Sequence, residues 1–121
     1  MFRHVKFAEL PVVDQDRAIR FYREKVGLSV VVDSPYGPDW RWIEFEIPGA
    51  ATKILATRRE GAPHEEPAII LVVEDVSAAY DKLMAKGVEF TQAPKPTPWS
   101  ADERFALFRD SEGNIIMIGD G

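Results

Sequence analysis

The chain has 121 residues, with 15 Lys+Arg against 20 Asp+Glu, a formal charge of −5 with both histidines neutral. One domain of ordinary globular composition is expected, because 45% of residues are hydrophobic and 29% charged, which excludes collagen-like, low-complexity and disordered chains. The acidic balance leaves no basic footprint for nucleic acid or an anionic membrane. The absence of cysteine excludes disulfides, thiolate nucleophiles and Cys-ligated metals.

A strand-like run over 2–12 comes first. Ala18, Ile19, Phe21, Tyr22 and Val26 then recur at spacings of three and four between Asp14 and Gly27, which predicts an amphipathic helix with a glycine stop. Three β-branched and aromatic segments follow, over 29–33, 41–47 and 52–58. Turn chemistry separates them at Ser34-Pro35-Tyr36-Gly37-Pro38 and Pro48-Gly49.

Residues 60–67 are polar and read as a linker between a first module, 1–59, and a second, 68–121. The second repeats the order. A strand over 68–73 leads through Val73-Glu74 into a helix carrying Val76, Ala79, Tyr80, Leu83 and Met84 that stops at Gly87. Strands follow over 88–91, 104–109 and 115–118, with turns at the Pro94–Pro98 run and at Asp110-Ser111-Glu112-Gly113-Asn114. The two halves superpose at an offset of sixty, and both acid-to-glycine intervals are thirteen residues. The fold expected is α+β: two tandem βαβββ modules whose mixed sheets pair around a cleft, with helices on the outer faces. The eight-residue linker permits pairing within one chain or exchange between two.

The runs Asp14-Gln15-Asp16-Arg17-Ala18-Ile19-Arg20-Phe21-Tyr22 and Phe108-Arg109-Asp110-Ser111-Glu112-Gly113-Asn114 resemble the vicinal oxygen chelate superfamily over essentially the whole chain. That superfamily includes glyoxalase I, extradiol dioxygenases and fosfomycin- and bleomycin-resistance proteins. The resemblance implies a divalent metal held by His and Glu on four strands, where it polarises vicinal oxygens of a substrate. The matching positions carry Phe7, Leu55, Ala68 and Met117. Three of these offer no donor atom and the fourth is a soft thioether, so neither the metal nor any other cofactor is expected.

Strand alternation places Val5 and Glu9 on the face of Phe7, Ile70 and Val72 with Ala68, and Ile115 with Met117. Trp42 and Glu44 share a face opposite Ile43, Phe45 and Ile47, which suit packing beneath the first helix. Glu9 and Glu44 are then carboxylates in an apolar pocket or, alternatively, strand-end acids paired with Arg41, Lys53 or Arg104. Trp40, Trp42, Trp99 and Tyr36 cluster at loops, as rim packing or as an aromatic lid, and Trp99 is expected in a long mobile loop. His4 and His64 read as a surface histidine and a solvated linker residue.

The leading expectation is a cytoplasmic homodimer that binds a small aromatic or amphipathic molecule through Phe7, Glu9, Trp42, Glu44, Leu55, Ala68, Trp99 and Met117, without metal and by sequestration. Two alternatives stand beside it. One is a metal-dependent glyoxalase-type or dioxygenase-like enzyme with ligands displaced to His4, Glu9, Glu44 and His64. The other is a metal-free enzyme using Glu9 or Glu44 as a base. No nucleic-acid or membrane partner is expected.

Overall fold

The computed structural model describes residues 1–121, which divide into two compact units, Met1–Gly61 and Ala62–Gly121. In the first, β1 (Phe7–Val12) leads to α1 (Gln15–Phe21), continued by a π-helical turn (Tyr22–Val26), then β2 (Ser29–Pro35), β3 (Arg41–Glu46) and β4 (Lys53–Arg58). In the second, β5 (Pro67–Val73), α2 (Val76–Ala85), β6 (Glu89–Thr97), β7 (Ser100–Arg109) and β8 (Ile115–Asp120) repeat the order. The sheets run β1-β4-β3-β2 and β5-β8-β7-β6. Each has one parallel pair, β1 with β4 and β5 with β8, beside antiparallel neighbours.

Hydrophobic alternation decides which face of each sheet is covered. On the first, Leu10, Val12, Ile43, Phe45, Ile54 and Ala56 are buried together with Ala18, Ile19, Phe21 and Tyr22 of the helix. The Tyr22 ring lies 5.5 Å from that of Phe45, so Ile43 and Phe45 do pack beneath the first helix. On the second, Ile69, Ala106, Phe108, Ile116 and Ile118 are buried with Val76 of α2, and Tyr80, Phe90 and Phe108 form an edge-to-face chain at 4.6 and 5.6 Å. Met84, expected in the α2 stripe, is instead 47% exposed.

Both helices start at an aspartate whose side chain accepts a backbone N–H three residues on, Asp14 from Arg17 at 3.1 Å and Asp75 from Ala78 at 3.0 Å. The second helix is therefore capped by Asp75 rather than led in by Glu74. The caps lie sixty-one residues apart and the stop glycines sixty, so the first module holds one extra residue. The π turn absorbs it, the Gly27 N–H reaching back five residues to the Tyr22 carbonyl at 2.9 Å.

Gln15, buried at the start of α1, ties the helix to β3. Its Nε2 donates to the Arg41 carbonyl at 2.7 Å and its Oε1 accepts the Arg41 N–H at 3.1 Å. Leaving either buried group unpaired would cost about 1–3 kcal/mol. The Arg41 guanidinium spans Asp33 at 3.0 Å and Asp16 at 2.8 Å, so it does not serve Glu9 or Glu44. The hydrogen bond from Arg41 holds the Asp33 carboxyl below the usual carboxylate range. This stabilisation is present above the carboxylate's ordinary pKa and is lost as pH falls through the lowered one, and exposure keeps it to roughly 0–1 kcal/mol.

Several strand boundaries differ from expectation. The first strand begins at Phe7, because the ladder with β4 starts at Phe7↔Lys53 and the chain before it is exposed. The Pro94–Pro98 run is no turn up to Thr97, which ends β6. The expected long loop at Trp99 is a tight turn closing the β6–β7 hairpin, with Thr97 paired to Ser100. Where prolines fall within strands, they do so only in those at sheet edges: Pro11 in β1, Pro35 in β2, Pro67 in β5, and Pro94 and Pro96 in β6. The four inner strands contain none.

Candidate functional site

The face of the first sheet turned away from α1 carries the odd positions of β1 and β4 and the even positions of β3. Register sets Phe7 beside Lys53 and places Leu55 between Glu9 and Glu44. Phe7, Glu9, Trp42, Glu44 and Leu55, five of the eight residues singled out from sequence, thus share one face. The Phe7 ring meets Trp42 edge-on at 6.0 Å, and Tyr36 approaches Trp42 at 5.2 Å. The indole Nε1 of Trp42 donates to Glu44 Oε2 at 2.8 Å, which fixes the ring plane and gives the carboxylate a partner other than the expected basic residues.

Two open hollows lie along this face. One, of about 340 Å³, is lined by Tyr36, Asp39, Trp40, Trp42, Leu55 and Arg58 among others. The Arg58 guanidinium stacks 4.5 Å from the Trp40 ring while Nη2 donates to Asp39 at 3.0 Å, and this clamps one wall. The other, of about 410 Å³, is lined by Arg3, His4, Lys6, Glu44 and Lys53 among others. The first is the size of a small-molecule site and is walled mainly by rings and hydrocarbon.

On the second sheet, the face turned away from α2 carries Ile70 opposite Met117 and Leu107 opposite Met117. Ala68 is exposed at a bulge between Pro67 and Ile69. Ile115, expected beside Met117 on an open floor, is buried instead. Val5, expected beside Phe7, precedes the strand and is exposed, its carbonyl accepting from Thr52 Oγ1 at 2.6 Å. Trp99 sits at its hairpin turn with Nε1 donating to Glu103 Oε2 at 3.0 Å.

The residues do not fit the metal that the resemblance implies. Phe7 and Leu55 present hydrocarbon and Ala68 a methyl group, and Met117 offers only a thioether. Nowhere do three or more His, Cys, Asp or Glu side chains gather closely enough to hold an ion. Of the displaced candidates, His4 and Glu44 line one hollow, Glu9 is exposed on the same face, and His64 is exposed in the second unit. Arg3, Lys6, Thr57 and Arg58 were not singled out by sequence reasoning. The only signal for them was basic residues flanking the first and fourth strands at 3–6 and 53–58.

Two tandem βαβββ modules, each with one covered and one open sheet face, define the class. The chain belongs to the Glyoxalase/Bleomycin resistance protein/Dioxygenase superfamily, whose family model matches residues 2–118. It is 30% identical to YetH, an uncharacterized protein of Bacillus subtilis (strain 168), over 98% of each chain. Among solved structures it is similar to TnmS3, an antibiotic binding protein from Streptomyces sp. CB03234, with 31% identity, a TM-score of 0.81 and coverage of 98% of this chain and 96% of that one. A member of the same superfamily from Sphaerobacter thermophilus DSM 20745 is 29% identical with a TM-score of 0.84, covering 99% and 98%. No helix is long and apolar enough to cross a membrane.

Proposed function

We propose that this protein is a small-molecule-binding member of the superfamily that holds an aromatic or amphipathic molecule against the open face of its first sheet, by sequestration and without a metal. The observation that carries this reading is the hollow of Tyr36, Trp40, Trp42 and Leu55, in which Leu55 stands at one of the positions where the resemblance implies a metal ligand. Phe7, Glu9 and Glu44 border it on the same face. Similarity to TnmS3, an antibiotic binding protein, supports a small-molecule ligand. Titration with nickel, zinc, manganese or iron should neither bind tightly nor raise the thermal midpoint, whereas one-to-one submillimolar binding would overturn the metal-free reading.

The working form is a homodimer. This rests on the apolar face of the second sheet, where Ile70 and Val72 are 62% and 68% exposed in the single chain. Light scattering coupled to size exclusion should give twice the chain mass of 13.6 kDa at micromolar concentration. A monomer there removes the dimer from the proposal.

A further inference from the structure

The two hollows of the first sheet adjoin. Trp42 and Leu55 line the aromatic one and Glu44 and Lys53 the other; Trp42 and Glu44 on β3, and Leu55 and Lys53 on β4, are each two residues apart along the strand, roughly 7 Å on one face. The second hollow draws Arg3, Lys6 and Lys53 together against a single carboxylate, a net charge of +2 (three cations less Glu44) in a protein of net charge −5. Glu44 is already engaged by the Trp42 indole. Glu9 and Glu46 share the face but line neither hollow.

These cations lack acidic partners. Arg41 and Arg58 are each ion-paired, but Arg3, Lys6 and Lys53 are not, and the Lys6 ammonium instead lies 5.4 Å from the Phe7 ring centre. Phe7 in turn touches Trp42, so the cationic end and the aromatic end are joined through one ring contact.

We propose that the ligand is a planar aromatic anion whose ring stacks in the Tyr36–Trp42–Leu55 hollow while its carboxylate, sulfonate or phosphate lies among Arg3, Lys6 and Lys53. This rests on the reading of the aromatic hollow as the ligand seat and adds the sign and position of the ligand's charge. Exposed cations act at this range through a screened field, so added salt weakens the contribution.

Two fluorescent probes of nearly the same shape test it: 8-anilinonaphthalene-1-sulfonate and the uncharged N-phenyl-1-naphthylamine. The sulfonate should bind at least tenfold tighter at low ionic strength. The double variant Lys6→Gln/Lys53→Gln should erase most of that preference and leave the neutral amine unchanged. Trp42→Ala should weaken both probes severalfold, and Tyr36→Ala, which alters only an exposed ring, should do the same to a lesser degree. Equal affinity for the two probes, or a preference that survives in the double variant, overturns the anion assignment while the hollow stands. If neither Trp42→Ala nor Tyr36→Ala affects either probe, the hollow is not the seat, and the proposed function and this inference fall together.

Discussion

Phe108→Ala should lower the unfolding free energy by about 3–5 kcal/mol, the usual cost of emptying a buried phenylalanine site. Phe108 is fully buried on the α2 side of the second sheet, opposite Phe90 on one neighbouring strand and Ile116 on the other. Its ring meets Phe90 at 5.6 Å, and Phe90 meets Tyr80 of the helix, so truncation opens a void between helix and sheet and removes the contact with Phe90. Small domains have about 5–15 kcal/mol to lose, so the variant should be partly unfolded near physiological temperature. Phe105→Ala is the control, since Phe105 lies on the opposite, half-buried face of the same strand and should cost about 1 kcal/mol or less beyond its lost area. Urea denaturation followed by circular dichroism distinguishes them, and equal losses would mean that the covered and open faces are wrongly assigned.

Asp110→Ala should cost about 3 kcal/mol, because a buried carboxylate that organises a whole turn disappears. Asp110 Oδ1 accepts from the Glu112 N–H at 2.9 Å and the Asn114 N–H at 2.8 Å, and Oδ2 accepts from Asn114 Nδ2 at 3.0 Å. The backbone closes the same loop, with the Asp110 N–H donating to the Asn114 carbonyl at 2.9 Å. Gly113 completes it at φ 84°, and an added Cβ would sit 3.2 Å from the Pro63 ring. Asp110→Asn keeps an acceptor for both backbone N–H groups but sets an amide against the amide of Asn114, so its loss should be about 1 kcal/mol. Thermal unfolding of the two variants checks the order. If asparagine is as harmful as alanine, the charge itself carries the turn rather than the acceptor geometry.

Much of the fold was legible because it is written in short-range chemistry. The Asp14 cap, the glycine stop at Gly27 and the alternation in β3 each depend on neighbours within a few residues. Pro94 and Pro96 misled because a proline breaks a central strand yet is harmless at an edge, and no local pattern says which strands are edges. Glu74 in place of Asp75 forced an exact repeat, and the residue left over became the wide turn at Tyr22–Val26. At the site, alternation was enough to put Phe7, Glu9, Trp42, Glu44 and Leu55 on one face. It could not show that Trp42 holds Glu44, nor that Arg3 and Lys6 approach Lys53, because those meetings depend on side-chain direction and on a segment outside the strands.

The distribution of prolines bears on how such a chain stays dispersed. With Ile70 and Val72 uncovered, collisions between copies are adhesive, and the hazard is that one copy's sheet recruits another's as a fifth strand and the process repeats without end. All four border strands carry proline, a residue with no amide proton to offer a further strand. Burial of exposed apolar faces, unlike pairing at a sheet edge, ends once those faces are covered.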